Sequence, residues 1–218
     1  MTMTSKVKES TLKMAENEFN KENYRVAFSL YEGLVEDCVP EAYFEYGRFL
    51  KYGWECEVDE KKAFDAFLQG AVRGDGMCQW MLASCYKDGE GCDPNPDEAF
   101  FWMKEAADIG CVPFAISELA NYYYMGIGVE KNYEKSVEYL KQLVDTDLPC
   151  AASAQNNLAF CYLKGEGVPK DDEMAKHYFM LAINSSCQGD YYKSSTIESA
   201  KNGNADDSMM LKLCGIDF

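Results

Sequence analysis

Ten cysteines and a single histidine, His177, are the residues most able to do chemistry in this chain. A cysteine nucleophile needs a base to take its proton, and only His177 could serve. It stands in AKHYFML, beside an apolar stripe, with no nucleophile motif around it. No cysteine pair is spaced CxxC, and one histidine cannot complete a zinc ribbon or finger. Two GEG loops look like phosphate loops, but neither follows a strand or carries the lysine and hydroxyl that phosphate binding needs. The segment DGEGCDPNPDE is rich in acids, yet it lacks the alternating oxygen ligands of a calcium loop. The reading is a chain without a catalytic residue, a metal or a cofactor. The cysteines Cys38, Cys56, Cys78, Cys85, Cys92, Cys111, Cys150, Cys161, Cys187 and Cys214 are read as free thiols, several acting as small buried hydrophobes.

The elements that hold these residues repeat. LASCYKDGEGC, LANYYYMGIGV and LAFCYLKGEGV surround Gly89, Gly126 and Gly165, and a worn copy, YGRFLKYGWEC, surrounds Gly53. These glycines lie 36, 37 and 39 residues apart. A period of that size signals stacked helical hairpins. In the clearest copy, Cys78, Leu82, Ala83 and Tyr86 share one helical face. Gly89 suits the left-handed residue that closes a helix. Asn95 caps the second helix, Pro96 takes its first position, and Glu98 is placed to reach back to the cap. Ala99, Trp102, Met103 and Ala106 form the second stripe, and Gly110 ends the helix. Asp59, Asn132 and Asp171 are the equivalent caps. The small position recurs as Gly47, Ala83, Ala120 and Ala159, and the large one as Leu50, Tyr86, Tyr123 and Tyr162.

This predicts an all-α fold, a right-handed α/α solenoid of helix-turn-helix repeats forming one elongated body. The boundaries are an N-terminal tail over 1–11, a tetratricopeptide-like capping hairpin over 12–40, and repeats over 41–74, 76–110, 112–147 and 151–188. Residues 189–218 form a C-terminal helical cap, with helical stretches at 190–201 and 206–214. The cap hides the exposed stacking face of the last repeat.

The net charge of −16 repels nucleic acid and anionic membrane surfaces. No apolar run approaches the roughly 20 residues needed to span a bilayer. The first residues carry charges every few positions and do not read as a secretory signal. The expectation is a monomeric cytoplasmic protein with no membrane insertion.

The pattern AxxxLGxxYxxGxGVxxDxxKAxxWxxKAAxxG, carried by 42–184, resembles Sel1-like repeats, a branch of the tetratricopeptide superfamily. In the first copy Glu55 replaces the second loop glycine and Tyr46 the leucine. The third copy ends in VDTDLP without its closing glycine. The resemblance implies an adaptor or regulator that assembles other proteins. In a secreted, cysteine-rich subgroup a disulfide staples each hairpin. Here Cys78 occupies the first staple position, but Ala107 occupies the second, which sets the chain apart. Some of those relatives bind or hydrolyse β-lactams, but no SxxK or GxSxG nucleophile motif is present here. A bacterial effector or regulator acting on host or signalling proteins is a further alternative.

In such stacks the first helices line the concave side. Counting from the packing positions places Phe44, Arg48 and Lys51 there in the first repeat, and Trp80, Ser84 and Lys87 in the second. The third contributes Ser117, Asn121 and Tyr124, and the fourth Asn156, Phe160 and Leu163. Aromatic residues and arginine dominate interface hot spots. The predicted partner is therefore a protein or peptide segment held on this face.

Overall fold

The computed structural model describes residues 3–109, 112–185 and 188–217. Among them are twelve α-helices, one short 3₁₀ turn at Pro40–Ala42 and no strand. None of these helices is long and apolar enough to cross a membrane. Gly110, read as a helix end, and Cys111 and Cys187, read as free thiols, lie outside the described residues.

The chain divides into two compact units, Met1–Val112 and Pro113–Phe218. The first contains α1 (Ser5–Asn20), α2 (Tyr24–Glu36), α3 (Tyr43–Tyr52), α4 (Glu60–Ala71), α5 (Gly76–Asp88) and α6 (Pro96–Asp108). The second contains α7 (Pro113–Met125), α8 (Tyr133–Lys141), α9 (Ala151–Lys164), α10 (Asp172–Ile183), α11 (Gly189–Lys201) and α12 (Ala205–Cys214).

Helices pair as hairpins because each carries one apolar stripe that must be covered. Leu82, Ala83, Ala99 and Met103 are fully buried where α5 meets α6. Leu158, Ala159, Ala175 and Phe179 do the same where α9 meets α10. The small position is small because helices approach there. A methyl added to Gly47 would fall 2.4 Å from the Phe67 ring.

One backbone device closes the turn in every copy. The marker glycine takes the left-handed conformation and donates its N–H to the carbonyl four residues back. The Asx cap then returns its own N–H to the large position: Asp59 to Leu50, Asn95 to Tyr86, Asn132 to Tyr123 and Asp171 to Tyr162, all at 2.8–3.0 Å. This satisfies a helix-end carbonyl that would otherwise lack a partner. Each cap side chain accepts from the first turn of the helix it opens. Asp171 accepts twice, from the N–H groups of Glu173 and Met174, both at 3.0 Å. Asp171→Ala is therefore expected to cost about 1–2 kcal/mol, seen as a lower urea midpoint.

Two expectations are corrected. Glu98 does not reach back to its cap. The N–H of Asn95 is already taken by Tyr86, and Glu98 accepts instead from Trp102 Nε1 at 3.2 Å. Residues 5–11 are not a tail but the start of α1. Lys6, Lys8 and Glu9 are good helix formers, and Lys8 reaches the Asp37 carbonyl at the end of α2, with Met3 N–H on the Asp37 carboxylate. Glu55 stands where later copies have glycine and adopts the same left-handed backbone, with φ 57°.

The closing stretch forms α11 and α12. Met210 and Leu211 of α12 pack fully buried on Phe179, Ala159 and Leu163.

Candidate interaction face

The predicted face is carried by the first helices of the hairpins, α3 and α5 in the first unit and α7 and α9 in the second. In the first unit much of its charge is already used. Arg48 pairs with Glu45 at 3.0 Å. Its guanidinium lies 4.9 Å from the Trp54 ring centre, 5.4 Å from Phe44 and 5.9 Å from Phe19. Each contact is a cation–π attraction that holds the side chain against its own chain. Burial raises the Glu45 carboxyl above its usual range, although Arg48 pulls it down. Lys51 forms an ion pair with Glu90. Burial alone would lower the Lys51 ammonium, but the Glu90 contact holds it above its usual range. Phe44 and Trp80 are half-buried against the core of α3, α4 and α5. Ser84 donates its hydroxyl to the Trp80 carbonyl at 3.3 Å. Lys87 is exposed, 3.6 Å from Asp88.

The second unit leaves more open. Asn121, Tyr124 and Phe160 line one pocket of about 250 Å³, together with Asn157, Lys164 and the first turn of α12. Asn156 and Phe160 line a second, of about 230 Å³, beside Tyr191 and Tyr192. Tyr124 donates its hydroxyl to Glu166. Burial and that bond push the phenol up to about 12. Lys164 pairs with Asp206 at 2.9 Å, which raises its ammonium above the ordinary lysine value.

Two residues of the predicted face are not on it. Ser117 is 8% exposed and Leu163 is 3% exposed. Ser117 lies one turn before buried Ala120, and Leu163 one turn after buried Ala159, so each shares a helical face with a packing residue. Leu163 joins the core around Phe179. Sequence reasoning missed Asn157, Lys164, Asn204, Asp206 and Asp207. The first two stand one position from predicted residues. The last three lie in the terminal helix and its cap, where packing was the only role assigned.

The thiols are poorly placed for nucleophilic work. Burial pushes Cys161, at the wall of the larger pocket, up to about 11, and Cys85 up to about 12. Such thiols are protonated at neutral pH. His177 is exposed on α10, with its ring 5.1 Å from that of Tyr178. Among the described residues no three His, Cys, Asp or Glu side chains gather as metal ligands. Alkylation at pH 7.5 should therefore modify exposed Cys38 in the native state. Cys78, Cys85, Cys150 and Cys161 should react only after unfolding, as mapped by peptide mass spectrometry.

The profile of the Sel1 repeat matches residues 40–71, 76–111, 113–145 and 152–186. Among solved structures, a protective antigen of uropathogenic Escherichia coli with an SLR fold is similar at a TM-score of 0.73 and 20% identity. That match covers 94% of this chain and 48% of the antigen. A Sel1 repeat protein from Oxalobacter formigenes is similar at 0.70 and 22% identity, over 88% of this chain and 86% of its own. These likenesses show the fold, an α/α solenoid of helical hairpins. Two curated relatives are also similar. Chitin synthase regulatory factor 3 of Schizosaccharomyces pombe is 28% identical over 51% of this chain and 12% of its own length. An exopolysaccharide production negative regulator of Rhizobium leguminosarum is 31% identical over 46% of this chain and 40% of its own length. The chain thus matches less than half the length of either relative.

Proposed function

The chain belongs to the Sel1 repeat family, and from that premise we propose that it is a non-catalytic interaction module holding a protein or peptide segment on the concave side of its repeats. The observation that carries this reading is in the second unit. There Asn121, Tyr124 and Phe160 surround a pocket of about 250 Å³ with an aromatic wall and amide groups at its edge. Interfaces draw their energy from aromatic anchors seated among groups that fix orientation. In the first unit Arg48 and Lys51 are already paired within the chain, so the second unit carries the main docking face.

The names of the two curated relatives favour a regulatory role for this chain. The output would then be control of another protein's activity rather than turnover.

Affinity capture with quantitative mass spectrometry tests the docking face. Asn121 is exposed on α7 and tolerates a larger side chain without disturbing the core. Asn121→Arg should lose a discrete set of proteins that wild type and an α10 control, His177→Arg, both retain. Equal recovery by all three would overturn the proposal.

A further inference from the structure

Two pockets of the second unit meet at a shared wall made by Phe160 of α9 and Asp207 of α12. Asp207 is 9% exposed. Its carboxylate accepts a hydrogen bond from the Ser199 hydroxyl at 2.5 Å, and it sits in the first turn of α12, where backbone N–H groups favour negative charge. Neither supplies a full countercharge. Among the described residues no lysine or arginine forms an ion pair with it, and Lys164, the cation of the larger pocket, is committed to Asp206. A second acceptor is also unmatched. Asn156 lines the smaller pocket, and its side-chain carbonyl is buried without a hydrogen-bond donor among the described residues. A turn of that amide about χ2 would present an acceptor to a guest.

The double pocket therefore offers a carboxylate lacking a cation and an aromatic ring, with an amide in its smaller half that can turn an acceptor toward a guest. Each pocket has room for about one long side chain. A guanidinium meets all three demands. It is planar, carries five donors in a fork that matches a carboxylate, stacks on aromatic rings, and is weakly hydrated for a cation. A lysine ammonium brings charge but no plane. An anionic guest would face Asp206 and Asp207 on a chain of net charge −16.

We propose that this double pocket receives an arginine side chain of the partner segment. The assignment rests on the second unit being the docking face, and it names what that face selects. Asp207 is the specificity-determining residue, and Phe160 is the surface on which the guanidinium lies.

The test uses the full chain labelled with ¹⁵N and a capped Gly-Ala-Arg-Ala-Gly peptide. Matched peptides carry lysine, citrulline or glutamate in place of arginine. Citrulline keeps the shape and removes the charge. The arginine peptide should shift the side-chain amide signals of Asn121, Asn156 and Asn157 saturably, and the other three should bind at least tenfold more weakly. Asp207→Asn should weaken the arginine peptide by at least tenfold, while an asparagine there still accepts from Ser199. The citrulline comparison on wild type decides the matter even where that variant unfolds. Citrulline or lysine binding as tightly as arginine, tighter glutamate binding, or no response to any peptide would overturn the assignment. If captured partners are lost on Asn121→Arg while the arginine peptide stays silent, the arginine assignment falls and the docking face stands.

Discussion

Gly167→Ala is expected to destabilise the second unit by about 3 kcal/mol, combining left-handed strain with overpacking. Gly167 has φ 75°, and a Cβ there would lie 2.3 Å from the carbonyl oxygen of Tyr133 and 2.9 Å from the backbone nitrogen of Glu134. Those atoms open α8, the second helix of the preceding repeat, so they cannot yield as a side-chain tip would. The second loop glycine is thus a contact between consecutive hairpins as well as a turn. Gly91 repeats the arrangement in the first unit, 2.2 Å from the Glu60 carbonyl. Gly203 supplies the control. It also has positive φ, 94°, but faces open space, so Gly203→Ala should cost only about 1–2 kcal/mol. Urea unfolding of the variants side by side checks the prediction. The Gly167 midpoint should fall by about 1–2 M. Equal midpoints for the two variants would show that the close approach carries no energy.

The second large effect lies in the core behind the pockets. Phe179 is fully buried with Ala159, Leu163, Met210 and Leu211, and its ring meets Phe160 edge-on at 6.5 Å. Phe179→Ala should cost about 3–5 kcal/mol through lost burial and the cavity left behind. It also removes the support behind Phe160, so partner capture should fall even where the variant stays folded. Phe179→Leu keeps most of the volume and should cost about 1 kcal/mol. A loss of capture in the alanine variant, with recovery in the leucine variant, separates support of the wall from general instability.

The caps and turns were legible in the sequence because their chemistry is local. Asp59, Asn95, Asn132 and Asp171 cap the helices they were expected to cap, through bonds only a few residues long. Glu98 was misread because a longer bond, from the Asn95 N–H to Tyr86, satisfied the cap first. Ser117 and Leu163 were misplaced because a spacing count does not tell which side of the face a neighbouring helix covers. The ring of Phe19, Phe44 and Trp54 about Arg48 draws on α1, α3 and the loop after α3, and no motif links them. Asp207 was invisible for a similar reason. Its meaning comes from Phe160, far away in the chain, and from the absence of a paired cation among the described residues.

The central claim is that the second unit holds a partner on the side bearing Asn121. A photo-crosslinking residue placed at Asn121, and separately at His177 on α10, measures this most directly in the source cells. The account predicts a discrete adduct from position 121 that is absent from 177 and is competed by the arginine peptide. Identical adducts from both positions, or an adduct only from 177, would contradict it.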